Sequence, residues 1–170
     1  MANPPIGHAA LRHGRISMPG ADYFLTLCTD QKQPGLTQPH VAQRIMDELQ
    51  TMQTDTTCDV RCLTVMPDHL HLLLTLGTRL SLAKAINRLK AKTSASLGAH
   101  HLSWERGYFD HRVRPDEDRA SIFHYIYLNP YRASLCTPAA TWPWFHCCDA
   151  DRAWFEPRLD NNLPPPTWLA

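Results

Sequence analysis

Hydrophobic and polar positions assign most of the elements in this chain. Residues 23–29, YFLTLCT, alternate after a Met18-Pro19-Gly20 turn and predict a first strand. Residues 39–53 change to helical spacing, with Val41, Ile45, Leu49 and Met52 on one stripe and Pro39 near the start. Residues 57–66, TCDVRCLTVM, alternate and then turn apolar, as a second strand does, and HLHLLLTL at 69–76 predicts a third. The short Pro67-Asp68 turn makes these two an antiparallel hairpin. Residues 80–98 predict a second helix with Ser81 as its N-cap. Its Leu82, Ile86, Leu89, Thr93 and Leu97 fall on one side, and Lys84, Arg88 and Lys92 on the other at i, i+4 spacing. YFDHRVR, 108–114, alternates as a fourth strand. Residues 116–129, DEDRASIFHYIYLN, predict a third helix with three acids in its first turn, stopped by Pro130.

The order β-α-β-β-α-β-α places the chain in the α+β class. Its first six elements match a ferredoxin-like split βαβ fold, a four-stranded antiparallel sheet with two helices on one face. The third helix is an addition to that core. From Thr137 onward proline and tryptophan are frequent (TWPWF, LPPPTW), which predicts an extended tail, packed on the domain or partly disordered. The expected organisation is therefore a domain over residues 1–136 and a tail over 137–170.

At 170 residues the chain is long enough for one substantial core. No apolar run reaches 18 residues, so no transmembrane helix is expected, and MANPPIGHAALRHGR lacks the apolar stretch of a signal peptide. A cytoplasmic location is expected. The six cysteines show no CxxC pair and no zinc-ribbon spacing, which favours free thiols over disulfides. Net charge is only +1, but between Arg79 and Arg114 eight Lys/Arg face two acids. That segment is +6 and the remainder −5, a distribution that suits either a polyanion site or a solvated helix face.

The chemistry centres on MPDHLHLLL, 66–74. Side chains along a strand alternate, so His69 and His71 project together while Leu70, Leu72 and Leu74 take the opposite face. Two imidazoles on one rigid strand are half of a metal site, or two histidines satisfied by hydrogen bonds. No cysteine stands at a matching position for tetrahedral zinc, and an added oxygen ligand would suit Mg²⁺ or Mn²⁺. On the third helix Tyr125 and Asn129 lie at i, i+4, about 40° apart, on the stripe of Ile122 and Ile126 that packs toward the sheet. Read alone, they are a core tyrosine and the polar residue that often ends a helix before proline.

PGADYFLTLCT, VMPDHLHLLL, LSLAKAINRLKAKTS, WERGYFDHRVR and YIYLNPYRASL follow one another in this chain. In this combination the sequence resembles the REP-associated tyrosine transposases, relatives of the single-tyrosine transposases in the HUH endonuclease superfamily, over about residues 12–136. The resemblance implies that His69-Leu70-His71 is the HUH motif, with both histidines holding Mg²⁺ or Mn²⁺. It implies that Tyr125 is the nucleophile, and that Asn129 stands at the polar position that can complete the metal site, where relatives often carry the longer Gln. The substrate class it implies is single-stranded DNA with imperfect palindromes folded as hairpins, cut through a 5′-phosphotyrosine intermediate. Phenols ionise well above neutral pH, so such a nucleophile needs activation. Lys84, Arg88, Lys92, Arg112 and Arg114 become candidates for tracking phosphates, and Arg12 and Arg15 for a minor groove or hairpin foot. Trp104 and Tyr108 are candidates for base stacking or for core packing, and Asp110 and His111 for support of the site. A monomer and a homodimer are both compatible with the resemblance. The alternatives are a non-catalytic hairpin-binding protein, and a small-molecule regulatory domain that leaves the basic segment unexplained.

Overall fold

A computed structural model of the chain describes residues 17–169; Arg12 and Arg15 lie outside the described residues. The elements are β1 (Asp22–Cys28), α1 (Pro39–Thr54), β2 (Cys58–Val65), β3 (His69–Leu76), α2 (Leu82–Gly98), β4 (Phe109–Arg112), α3 (Arg119–Arg132), β5 (Phe145–Cys147) and α4 (Asp149–Phe155). The sheet is antiparallel throughout, in the order β4-β1-β3-β2-β5. Its first four strands and the helices α1 and α2 reproduce the expected ferredoxin-like arrangement.

Alternation along the central strand β3 sorts the two faces. Leu70, Leu72, Leu74 and Leu76 join Leu25, Leu27, Leu63, Val65 and the inner stripes of α1 and α2 in the larger core. Leu73 points the other way into a second core with Cys62, Phe123, Ile126 and Tyr127. The histidines share that second face. The β2–β3 hairpin continues through Pro67-Asp68, and Met66 N–H donates to the His69 carbonyl. At the far end of β3, Gly77 passes so close to the Thr56 carbonyl that a Cβ would sit 2.0 Å from it, so no side chain fits there.

Three expectations change. Helix α3 begins at Arg119, not at residue 116: Asp118 caps it, accepting from the Ala120 N–H, and Asp116 and Glu117 remain in the preceding turn. Pro130 does not stop α3, which runs on to Arg132. Proline costs a helix one hydrogen bond. Here it falls in the last turn, and burying Pro130 and Tyr131 in the second core offsets the loss. The tail is not extended. Phe145–Cys147 adds a fifth strand to β2, and α4 packs Phe155 against Phe123, Tyr127 and Phe145. Without these aromatics the second face of the sheet would carry α3 alone.

The tail is held by charge as well. Asp151 is buried, forms an ion pair with Arg61 of β2 at 2.7 Å, and accepts from Arg119 of α3 at 3.3 Å and from the Trp154 indole at 2.9 Å. A second ion cluster clasps α1 to α2: Arg88 reaches Glu48 at 3.0 Å and Asp55 at 2.5 Å, and Arg44 also reaches Glu48.

Two stability predictions follow from these contacts. Phe155 is 1 % exposed at the centre of the second core, so Phe155→Ala lowers stability by about 3–5 kcal/mol in denaturant unfolding. A loosely attached tail would give a change close to zero. The Thr57 hydroxyl, and then the Arg88 guanidinium, hold the Asp55 carboxyl down from 3.8 to about 2. Because its folded value lies below its unfolded one, its stabilising effect is present above pH 3.8 and is lost as pH falls through about 2. Asp55→Asn is therefore less stable than wild type at pH 5, and the difference closes as pH falls through about 2.

Candidate active site

The site forms on the face of β3 away from α1 and α2. His69 and His71 present their Nε2 atoms to each other at 3.1 Å, with ring centroids 4.5 Å apart. Their other ring nitrogens are engaged behind. His69 Nδ1 donates to the Asp68 carboxylate at 2.7 Å, and His71 Nδ1 lies 3.0 Å from the Thr26 hydroxyl of the neighbouring strand. An imidazole held at Nδ1 has its orientation fixed and directs Nε2 forward, the usual arrangement of a ligating histidine. Burial, and after it the neighbouring His69, push the His71 pKa down to about 3, so His71 is neutral near pH 7 as a metal ligand must be.

The residues present fit a divalent cation. Two ligands at right angles with bonds of about 2.1 Å stand about 3.0 Å apart, which is close to the Nε2 separation. Thr64, the cross-strand partner of His71 on β2, is fully buried, and its hydroxyl has no partner among the described residues. No group of three His, Cys, Asp or Glu side chains gathers among the described residues. Asn129 stands one turn beyond Tyr125 on α3, half-buried, and among the described residues its side chain makes no hydrogen bond to either histidine.

Helix α3 crosses this face and brings Tyr125 to the pair. The Tyr125 ring meets His71 at 5.1 Å and Phe24 of β1 at 5.8 Å, yet 43 % of the residue is exposed. Tyr127, two residues on, is the opposite case. It is 4 % exposed, donates its hydroxyl to the Asn162 carbonyl at 3.1 Å and packs on Phe145 and Phe155. Burial pushes its pKa up, which disfavours its ionised form.

The basic candidates divide. Lys84 and Lys92 are exposed on α2, in the layer on the other side of the sheet from the histidines, and Arg88 is engaged with Glu48 and Asp55. The structure does not bring these three to the histidine pair. Arg112 alternates with His111 and so leaves β4 on the face opposite Phe109. Arg114 is exposed beyond β4, 3.9 Å from Glu117. Trp104 donates to the Thr93 hydroxyl of α2, and both Trp104 and Tyr108 pack against the larger core. Asp110 shares the face of Arg112, whereas His111 shares the histidine face and contacts the Glu117 carboxylate at 2.5 Å.

Sequence reading missed Thr26, Asp68 and Phe24 as parts of the site. Asp68 had a signal in its position directly before the HxH motif. Thr26 and Phe24 had one only in their place on the polar side of the YFLTLCT alternation.

Comparison with known proteins agrees with this fold. In the solved structures, the chain is similar to a REP-associated tyrosine transposase bound to a REP hairpin, at 20 % identity with a TM-score of 0.66, over 79 % of this chain and 81 % of that one. It is also similar to a candidate transposase from Deinococcus radiodurans R1, at 25 % identity with a TM-score of 0.47, over 68 % of this chain and 92 % of that one. No curated protein matches the sequence. The family model of the IS200-like transposases matches residues 17–129, which carry β1 through most of α3 and include both histidines and Tyr125, and the chain belongs to that family.

Proposed function

We propose that this chain cuts and rejoins single-stranded DNA at hairpin-forming palindromes, with Tyr125 as the nucleophile and His69, His71 and Asn129 as holders of Mg²⁺ or Mn²⁺. The observation that carries the reading is the exposed Tyr125 ring 5.1 Å from His71, on a helix whose neighbouring tyrosine is buried. The solved relative with a bound REP hairpin supports the substrate class. Its setting is the cytoplasm. No helix among the described residues is long and apolar enough to cross a membrane.

Tyr125 gives up its phenolic proton and its oxygen forms a bond to phosphorus, while the bond from phosphorus to the 3′-oxygen breaks. The leaving oxygen takes up a proton and becomes a free 3′-hydroxyl, and the 5′-phosphate stays on Tyr125. A 3′-hydroxyl from another strand reverses these changes and joins, so no nucleotide cofactor is consumed. When bound, the cation neutralises charge on the scissile phosphate and positions it. His71 and Phe24 limit the Tyr125 ring to one side of the sheet, and Asp68 and Thr26 hold the imidazoles in register.

The test uses labelled hairpin oligonucleotides from the chain's own genomic flanks, with Mn²⁺ or with EDTA. Tyr125→Phe abolishes cleavage, whereas Tyr127→Phe retains it with a modest loss of stability. His69→Ala and His71→Ala each lower the rate at least a hundredfold, and EDTA stops the wild type. Loss of cleavage in Tyr127→Phe alone would overturn the assignment. Tight hairpin binding without cleavage under any condition would favour the non-catalytic reading.

A further inference from the structure

Four large hydrophobic residues are exposed among the described residues: Met18, Phe109, Tyr125 and Leu135. Single exposed apolar side chains are ordinary on any surface. Two of these, however, meet around one hub beside the histidines. The Phe24 ring stacks on His71 at 5.6 Å and 29°, and it packs edgewise with Tyr125 at 5.8 Å and with Phe109 at 6.3 Å. Thr26 pairs with Phe109 on one side and with His71 on the other, so all three residues project from one row of the sheet toward one face. Two inter-strand spacings, about 10 Å, separate Phe109 from His71 along that row.

Phe109 is the most exposed of the four, at 58 %, and it belongs to neither core. It also lies on an edge strand, where an open apolar ring invites unwanted association. The other aromatic side chains near β4, Trp104 and Tyr108, are turned to the larger core. A ring left open at this place, joined through Phe24 to Tyr125 and the histidine pair, has the form of a stacking platform. Aromatic platforms hold unpaired bases without regard to sequence, because every base has a π face.

We propose that Phe109 stacks an unpaired nucleobase of the DNA strand next to the phosphate that Tyr125 attacks. The proposal rests on the single-stranded DNA reading above and adds to it a binding residue on β4. Phe109 positions the strand and takes no part in the bond changes. Phe109 and Tyr125 both contact the Phe24 ring, at 6.3 and 5.8 Å, which sets a base on Phe109 beside the stretch of strand that meets the Tyr125 phenol.

The experiment measures binding of the full chain in EDTA, so that no strand is cut. The two probes are a labelled DNA hairpin with single-stranded flanks and the same hairpin without them. Phe109→Ala weakens binding of the flanked hairpin about 5- to 150-fold and leaves the flankless hairpin unchanged. Phe109→Trp binds the flanked probe at least as tightly as wild type. Phe109→Leu, apolar but without a π face, stays weak. Thermal midpoints of all three match wild type, because the ring lies outside both cores. Unchanged affinity of Phe109→Ala for the flanked probe, equal losses on both probes, or full affinity in Phe109→Leu would overturn the stacking role while leaving the transposase reading in place. Failure of wild type to bind either probe would overturn both.

Discussion

The alternation of β3 is the constraint on which the site depends. Leu70, Leu72, Leu74 and Leu76 are driven into the larger core by the apolar area that they bury, and the period of a strand then compels His69 and His71 onto the other face. A slip of one residue would bury both imidazoles among α1 and α2 and turn the leucines outward, so register and chemistry are fixed together. The neighbouring strands hold the same register. Thr26 of β1 lies against His71 Nδ1, and Thr64 of β2 stands directly opposite on the other side. The imidazole pair is therefore an outcome of core packing, and its geometry is as rigid as the centre of the sheet.

The second requirement is a helix that crosses the histidine face without closing it. Helix α3 does this because its two tyrosines divide the work. Tyr127 is buried among Phe145, Phe155 and Tyr131 and anchors the helix, while Tyr125 is left half-open above His71. The tail makes this possible. Strand β5 widens the sheet beneath α3, α4 supplies Phe155, and Asp151 joins β2, α3 and α4 through Arg61 and Arg119. A chain ending at α3 would leave Phe123 and Tyr127 facing solvent. The tail thus bears on the site by anchoring the helix that carries Tyr125.

The sequence made the four-stranded frame legible because three of its strands run over seven or eight residues and its helices carry full apolar stripes. The HxH pair and the Tyr125–Asn129 spacing were legible as positions. Their convergence was not, since the meeting of α3 with β3 is a long-range contact with no local signal. Strand β5 escaped notice because three residues are too few to display a period of two. Pro130 was misread because its usual effect assumes a solvated helix end, and here the end is buried. Arg88 looked like part of a basic ridge, because Glu48 and Asp55 stand 40 and 33 residues away in sequence. Phe109 was visible only as one member of an alternating stretch, and its openness beside Phe24 needed the packed structure.

In the proposed reaction the phenol beside the HxH pair, and no other nucleophile, takes the DNA strand. Mass spectrometry of the covalent product tests it most directly. After reaction with a hairpin oligonucleotide and Mn²⁺, digestion at arginine yields the peptide of residues 120–132, which holds Tyr125, Tyr127 and Tyr131 together. Fragmentation is expected to place the nucleotide remnant on Tyr125 alone. A remnant on Tyr127 or Tyr131, or on a serine or cysteine elsewhere in the chain, would contradict it.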